Sequence, residues 1–189
     1  MPSWVDEAGR VSMNKVEDVY KYVRGVYECK EFSSYQDLID NTEIVLRENE
    51  NEDNKFYLIQ TEYGNLGFTY YHLGIKPSII LKNHILFMGF GTSIVVYDIF
   101  RKELLYRITN AMHVAYDLQY NSFFENIIVV CELCVLGFDC KGKLLWENNF
   151  RDIIVDYIIE EQSVEIRFED ASVLMISIGA GRFFSNGLE

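Results

Sequence analysis

From residue 78 onward the apolar residues fall into short runs separated by glycine, asparagine or charged residues. The runs cover 78–81, 85–90, 94–99, 104–108, 114–120, 127–131, 134–138, 144–147, 153–159, 164–168 and 173–178. Even spacing with turn residues between the runs predicts an all-β meander. The N-terminal part is less regular. Val16, Val19, Tyr20 and Val23 have helical spacing, Asn14 and Glu17 resemble a capping box, and Gly25 can end that helix. Residues 26–32 alternate like a strand, and 34–41 read as a short helix capped by Ser34. Residues 43–47 and 55–61 are expected to pair as strands across the polar loop ENENED. A turn at Gly64-Asn65 then leads into an aromatic strand over 68–73, and Pro77 breaks the chain.

Two stretches repeat one another. Residues 84–108 align with 126–149, so that Asp98 matches Asp139, Leu104-Leu105 matches Leu144-Leu145, and Tyr106 matches Trp146. The offset of about 40 residues is that of a propeller blade. A partial third copy runs over 164–178. In FDCKGKLLW, residues 138–146, Asp139 can close an Asx turn, Gly142 can supply positive φ, and Trp146 can pack between sheets. In the first copy Lys102 occupies the glycine position, and the turn of the second copy is one residue shorter.

These residues resemble the blades of quinoprotein-type β-propellers, over about half the chain. The resemblance implies blade geometry and no quinone or other cofactor. Two and a half copies do not close a ring, since propellers need at least four blades. The expected fold is therefore mainly β. It is an open propeller-like or sandwich arrangement of antiparallel β-meanders, with one or two short N-terminal helices. A single domain is expected over 1–189, with the blade-like region at 78–178 and a tail over 1–13 in which Met13 is an alternative start.

Composition agrees with sheet. The chain has 189 residues, 49% hydrophobic, with 13 Tyr and 13 Phe, and aromatic side chains suit half-buried pleated surfaces. No apolar run approaches the roughly 20 residues of a membrane span, and the opening MPSWVDEAGRVSMNK lacks the pattern of a signal peptide. The net charge is −12, with 14 acids and 8 bases before residue 77 and 15 acids and 9 bases after it, hence −6 in each part. Such a field argues against nucleic-acid or anionic-membrane binding and favours a basic partner.

No constellation of residues announces chemistry. Gly89-Phe-Gly91 and Gly179-Ala-Gly181 lack a phosphate-binding lysine and read as turns. His72, His84 and His113 lie in separate strand-like segments, and there is no G-x-S-x-G elbow. Cys131 and Cys134 have pair spacing without a second knuckle, so no metal site is expected. Within one strand, odd spacing places them on opposite faces, which reads as reduced core cysteines in a cytoplasmic protein.

No catalytic residue, metal or cofactor is therefore assigned. The expected function is an acidic protein-binding module for a basic partner. In size, charge and lack of catalytic motifs the chain is similar to bacterial immunity proteins that neutralise basic toxins. Contact residues are expected in loops, at Glu48, Glu50, Glu52, Asp53, Glu160 and Glu161, with Tyr63, Tyr70 and Tyr71 as exposed aromatic anchors. Two alternatives are carried. One is a divergent enzyme or ligand-binding domain using His72, His113, Asp117 and Asp156. The other is a subunit of a larger β assembly or homo-oligomer, in which residues 173–178 form an unpaired edge.

Overall fold

The computed structural model describes residues 27–49, 53–109 and 114–184, and these form four four-stranded sheets and one short helix. The helical spacing at 14–24, together with Glu50, Glu52 and His113, lies outside the described residues.

The first sheet has the order β1-β3-β4-β2, from β1 (Tyr27–Phe32), β2 (Val45–Arg47), β3 (Lys55–Thr61) and β4 (Gly64–Tyr70). Helix α1 (Tyr35–Ile39) lies between β1 and β2 in the chain. As expected, Ser34 caps it, accepting a hydrogen bond from the Asp37 N–H at 3.1 Å. The expected pairing of the second and third strands is corrected. β2 pairs with β4, in parallel, and β3 lies between β1 and β4. The 48–53 loop is therefore a crossover and not a hairpin turn. Glu48 ties it to the second sheet, as described below. The tight turn is Glu62-Tyr63, which sets β4 starting at Gly64 and ending at Tyr70 rather than running to Leu73.

The other three sheets are simple meanders. The second is β5 (Ser78–Lys82), β6 (Ile85–Phe90), β7 (Ser93–Asp98) and β8 (Glu103–Thr109). The third is β9 (Ala115–Asn121), β10 (Asn126–Cys131), β11 (Cys134–Asp139) and β12 (Leu144–Asn149). The fourth is β13 (Ile154–Ile159), β14 (Ser163–Phe168), β15 (Val173–Ser177) and β16 (Phe183–Phe184). All eleven strand-like runs of the C-terminal region are strands. Residues 173–178 are not an outermost edge, however, because β16 pairs beyond β15 at Met175↔Phe184 and Ile176↔Phe183.

Strand alternation places one apolar face of each sheet against its neighbour. Phe68 and Tyr70 of the first sheet pack on Leu86, Met88 and Phe90 of the second. Phe87 and Val96 pack on Val129 and Phe138 of the third. Ile128 and Val135 pack on Val164, Ile166 and Ile176 of the fourth. Among the described residues no core cluster joins the fourth sheet to the first, so the arrangement is an open, propeller-like array.

The repeat is structural as well as textual. Asp98 and Asp139 each end the third strand of their sheet and accept turn N–H groups. Asp98 accepts from Arg101 at 2.8 Å, and Asp139 from Lys141 and Lys143 at 2.9 Å. Gly142 has φ +87°, and Lys102, at the matching position, is held at φ +57° without being glycine. Trp146 donates its indole N–H to the Ile178 carbonyl at 2.9 Å, joining the third sheet to the fourth. The cysteine pair is corrected too. Cys131 and Cys134 flank a two-residue turn between β10 and β11, so they face one another across the hairpin and share one core. None of the four cysteines forms a disulfide.

Candidate partner-binding face

An open array has two end faces, and this chain treats them differently. On the outer face of the first sheet, α1 packs against β1, β3 and β4. Leu38 and Leu58 are buried there, Tyr35 meets Phe56 at 6.5 Å, and the Arg47 guanidinium lies over the Tyr35 ring. Thr42, in the loop before β2, adds to the cover, since a Cβ at Gly67 would meet it at 2.9 Å. The outer face of the fourth sheet carries no such cover among the described residues.

Alternation in β13–β16 sets what that face displays. With Tyr157, Val164, Ile166 and Ile176 turned to the core, the opposite face is built from two cross-strand rows. One row is Ile158, Glu165, Met175 and Phe184, and the other is Asp156, Arg167 and Val173. Arg167 lies across the rows. Its Nε and Nη2 donate to Glu165 Oε1 at 3.0 and 2.8 Å, and its Nη1 is 3.6 Å from Asp156 Oδ2. A groove of about 570 Å³ opens beside these rows, lined by Glu160, Glu161, Gln162, Ser163, Glu165, Met175 and Phe184. Phe184 is exposed in it, Met175 is buried beneath, and Glu160, Glu161 and Glu165 bring their carboxylates to it.

The rim is held in place. The Glu160 N–H donates to the Ser163 carbonyl at 2.8 Å, and the Ser163 hydroxyl donates to Glu160 Oε2 at 3.1 Å. The Ile178 N–H donates to the Gln162 carbonyl at 2.9 Å. From the third sheet, buried Asn121 donates its amide to the carbonyls of Glu160 and Glu161, at 3.3 and 2.9 Å. The side chain of Glu161 projects into solvent.

A second polar cluster sits where the first strands of three sheets meet. Asp117 on β9 accepts from the Tyr157 hydroxyl of β13 at 3.0 Å, from Gln119 at 2.9 Å and from the Leu118 N–H at 2.8 Å. Ser78 on β5 also bonds it, and Ser78 accepts from the Leu118 N–H at 3.2 Å. Burial pushes the Asp117 carboxyl above the usual carboxylate range against the pull of these donors. Burial and the adjacent Asp117 charge push the Tyr157 hydroxyl far above its ordinary value. Both Asp117 oxygens are occupied within the chain, so the arrangement is a tie between sheets.

The residues expected at a partner site are scattered. Glu160 and Glu161 stand on the groove rim. Glu48 is half-buried; its Oε1 accepts from the Thr92 N–H at 2.5 Å, the Thr92 hydroxyl at 2.8 Å and the Ser93 hydroxyl at 3.3 Å. Its Oε2 accepts from the Tyr71 N–H at 3.1 Å. Asp53 accepts from the Thr69 hydroxyl and, at 3.0 Å, from the Asn49 N–H. Tyr63 and Tyr71 are exposed. Tyr70, expected as an exposed anchor, is fully buried between Tyr57, Phe68 and Phe90, because alternation in β4 turns it to the core. Of the alternative ligand site, Asp117 and Asp156 flank Tyr157, whereas His72 lies beside Tyr70 in the first sheet.

Sequence reasoning missed Glu165, Met175, Phe184 and Asn121. For Glu165 a signal existed: in SVEIRF apolar and polar residues alternate strictly, which puts Glu165 and Arg167 together on the outward face. No group of His, Cys, Asp and Glu among the described residues is arranged to hold a metal ion. None of the described helices is long and apolar enough to cross a membrane.

No protein-family model and no curated protein matches the chain. Among solved structures it is similar to the computationally designed Ika4 protein, at 15% identity and a TM-score of 0.44, covering 60% of this chain and 73% of that one. It is similar to the computationally designed Ika8 protein at 14% identity and a TM-score of 0.45, covering 69% and 45%. Hsv2 of Kluyveromyces lactis matches at 10% identity and a TM-score of 0.35, covering 56% and 33%.

Proposed function

We propose that this chain is a protein-binding module whose fourth sheet receives a basic segment of a partner. The observation that carries this reading is the outer face of that sheet, uncovered among the described residues, with Met175 and Phe184 in its groove and Glu160, Glu161 and Glu165 around them. The chain's charge of −12 draws a basic partner from a distance, and the groove offers apolar area once it arrives. One form of this reading is an immunity protein that neutralises a basic toxin. The acidic face and the strong negative charge support it, since a cationic toxin surface is the complement of both.

Titration of methyl-labelled protein with a nona-arginine peptide tests the reading. The Met175 methyl is expected to shift, and the Met88 methyl, buried between the first two sheets, to stay in place. High salt and the double substitution E161Q/E165Q are each expected to weaken binding several-fold. Absence of a Met175 shift at low salt overturns the proposal.

A further inference from the structure

We infer that the same partner surface continues from the acidic rim onto the aromatic turn at Ser122–Glu125 of the third sheet, and that the two together select arginine over lysine. This inference rests on the proposed basic partner.

Asn121 carries it. The side chain of this residue serves both turns at once. Its Nδ2 donates to the Glu160 and Glu161 carbonyls, and its Oδ1 accepts from the Phe124 N–H at 2.9 Å. An acidic turn of one sheet and an aromatic turn of its neighbour are thereby fixed at a set spacing. Phe123 and Phe124 meet edge to face at 4.9 Å. Phe124 also packs on the turn that follows β15, where a Cβ at Gly179 would come within 2.7 Å of its ring. Phe123, on the same turn, stands 57% exposed. Its ring is steadied by Phe124, which is itself fixed by Asn121 and by the turn at Gly179.

An exposed ring on one turn and an exposed carboxylate on the other, the two turns joined through one amide, offer a guanidinium both of the partners it takes. Its plane can stack on Phe123 while its N–H groups reach Glu161, whereas an ammonium binds as a compact, strongly hydrated point. The chain already uses a guanidinium over a phenol ring, Arg47 over Tyr35 at 4.7 Å. Asn121 is a positioning residue: it would touch no partner and acts through the two turns it joins.

The test compares nona-arginine with nona-lysine, equal in formal charge, by calorimetry on the full chain. Wild type is expected to bind nona-arginine about two- to fivefold more tightly per engaged stacking contact. Phe123→Ala is expected to remove that preference and leave nona-lysine binding unchanged. Phe123 is largely exposed, so this variant retains the fold. Asn121→Ala, which unties the two turns without adding a charge, is expected to weaken nona-arginine binding more than nona-lysine binding. Equal binding of the two peptides by wild type, or a preference that survives Phe123→Ala, overturns the inference and leaves the basic-partner reading standing. Failure of both peptides to bind at low salt overturns both.

Discussion

Glu48 discriminates between a contact acid and a structural one. Its carboxylate gathers four donors from two places: the Thr92 N–H and hydroxyl and the Ser93 hydroxyl at the start of β7, and the Tyr71 N–H after β4. It therefore joins the first sheet to the second. Gly91 makes room for it, with φ +52° and no side chain where the carboxylate sits. Glu48→Ala strands two backbone N–H groups in a half-buried site. Hydrogen bonds to a charged group contribute about 1.5–3 kcal/mol each when buried. Half-burial lets water replace part of that, so the expected loss is about 2–4 kcal/mol for the set. At about 2–4 °C per kcal/mol for a chain of this length, the midpoint should fall by roughly 4–16 °C. Glu48→Gln keeps Oε1 for Thr92 and Ser93 and turns an NH₂ toward the Tyr71 N–H. It should lose about 1 kcal/mol. Thermal unfolding reads that midpoint, and urea unfolding followed by fluorescence, with its own midpoint and slope fitted together, reads the free energy of both variants. An acid serving only a partner would leave stability within about 0.5 kcal/mol of wild type. That result for Glu48→Ala would refute the reasoning.

Leu38→Ala removes the buried anchor of α1 and should cost about 2–5 kcal/mol by thermal unfolding. Lys102→Gly relieves a left-handed non-glycine residue in the turn where the repeat has Gly142. Against the added freedom of the unfolded chain it should stabilise by about 0.5 kcal/mol, read as a raised urea midpoint. Asp117 has a folded pKa above its unfolded one, so the native state holds the proton longer. Its contribution to stability is present at low pH and is lost as pH rises from the ordinary carboxylate value through the raised one. Comparison of wild type with Asp117→Asn across that window should isolate a wild-type slope that falls with pH, and a difference that rises with pH instead would exclude it.

The C-terminal three sheets were legible because each strand there is set by its own alternation and each turn by its own residues. Asp139, Gly142 and Trp146 did in the fold what their chemistry suggested, down to the positive φ and the indole bond to the next sheet. The first sheet was less legible. Which strands pair is a nonlocal matter, and nothing in residues 43–61 alone says that β2 joins β4 in parallel. The thiols of Cys131 and Cys134 were misplaced for a related reason. Two residues between them read as strand, yet Glu132-Leu133 is a turn whose N–H and C=O groups bond outward to Val114, Ile154 and Phe150. Of the proposed face, Glu160 and Glu161 were named from the sequence as loop acids, and they stand on its rim. Glu48 could not be told from them, because its donors lie about 20 and 44 residues away in the chain.

Self-association through the fourth sheet is the natural rival to a basic partner, and charge weighs against it. The outer face and its rim carry Asp156, Glu160, Glu161 and Glu165 against Arg167, four acids less one base, or −3. Two copies meeting face to face would bring −3 against −3, equivalent to nine unit repulsions. At about 8 Å in water each is worth roughly 0.5 kcal/mol, so the set opposes pairing by about 4–5 kcal/mol before salt screens part of it. A partner of charge +3 would gain what a second copy loses, and it would bury the same exposed Phe184 ring in doing so. The same arithmetic fixes the sign of the salt effect. Added salt should weaken a basic partner's hold on this face and strengthen any self-pairing there, so a salt series on one sample tells the two apart.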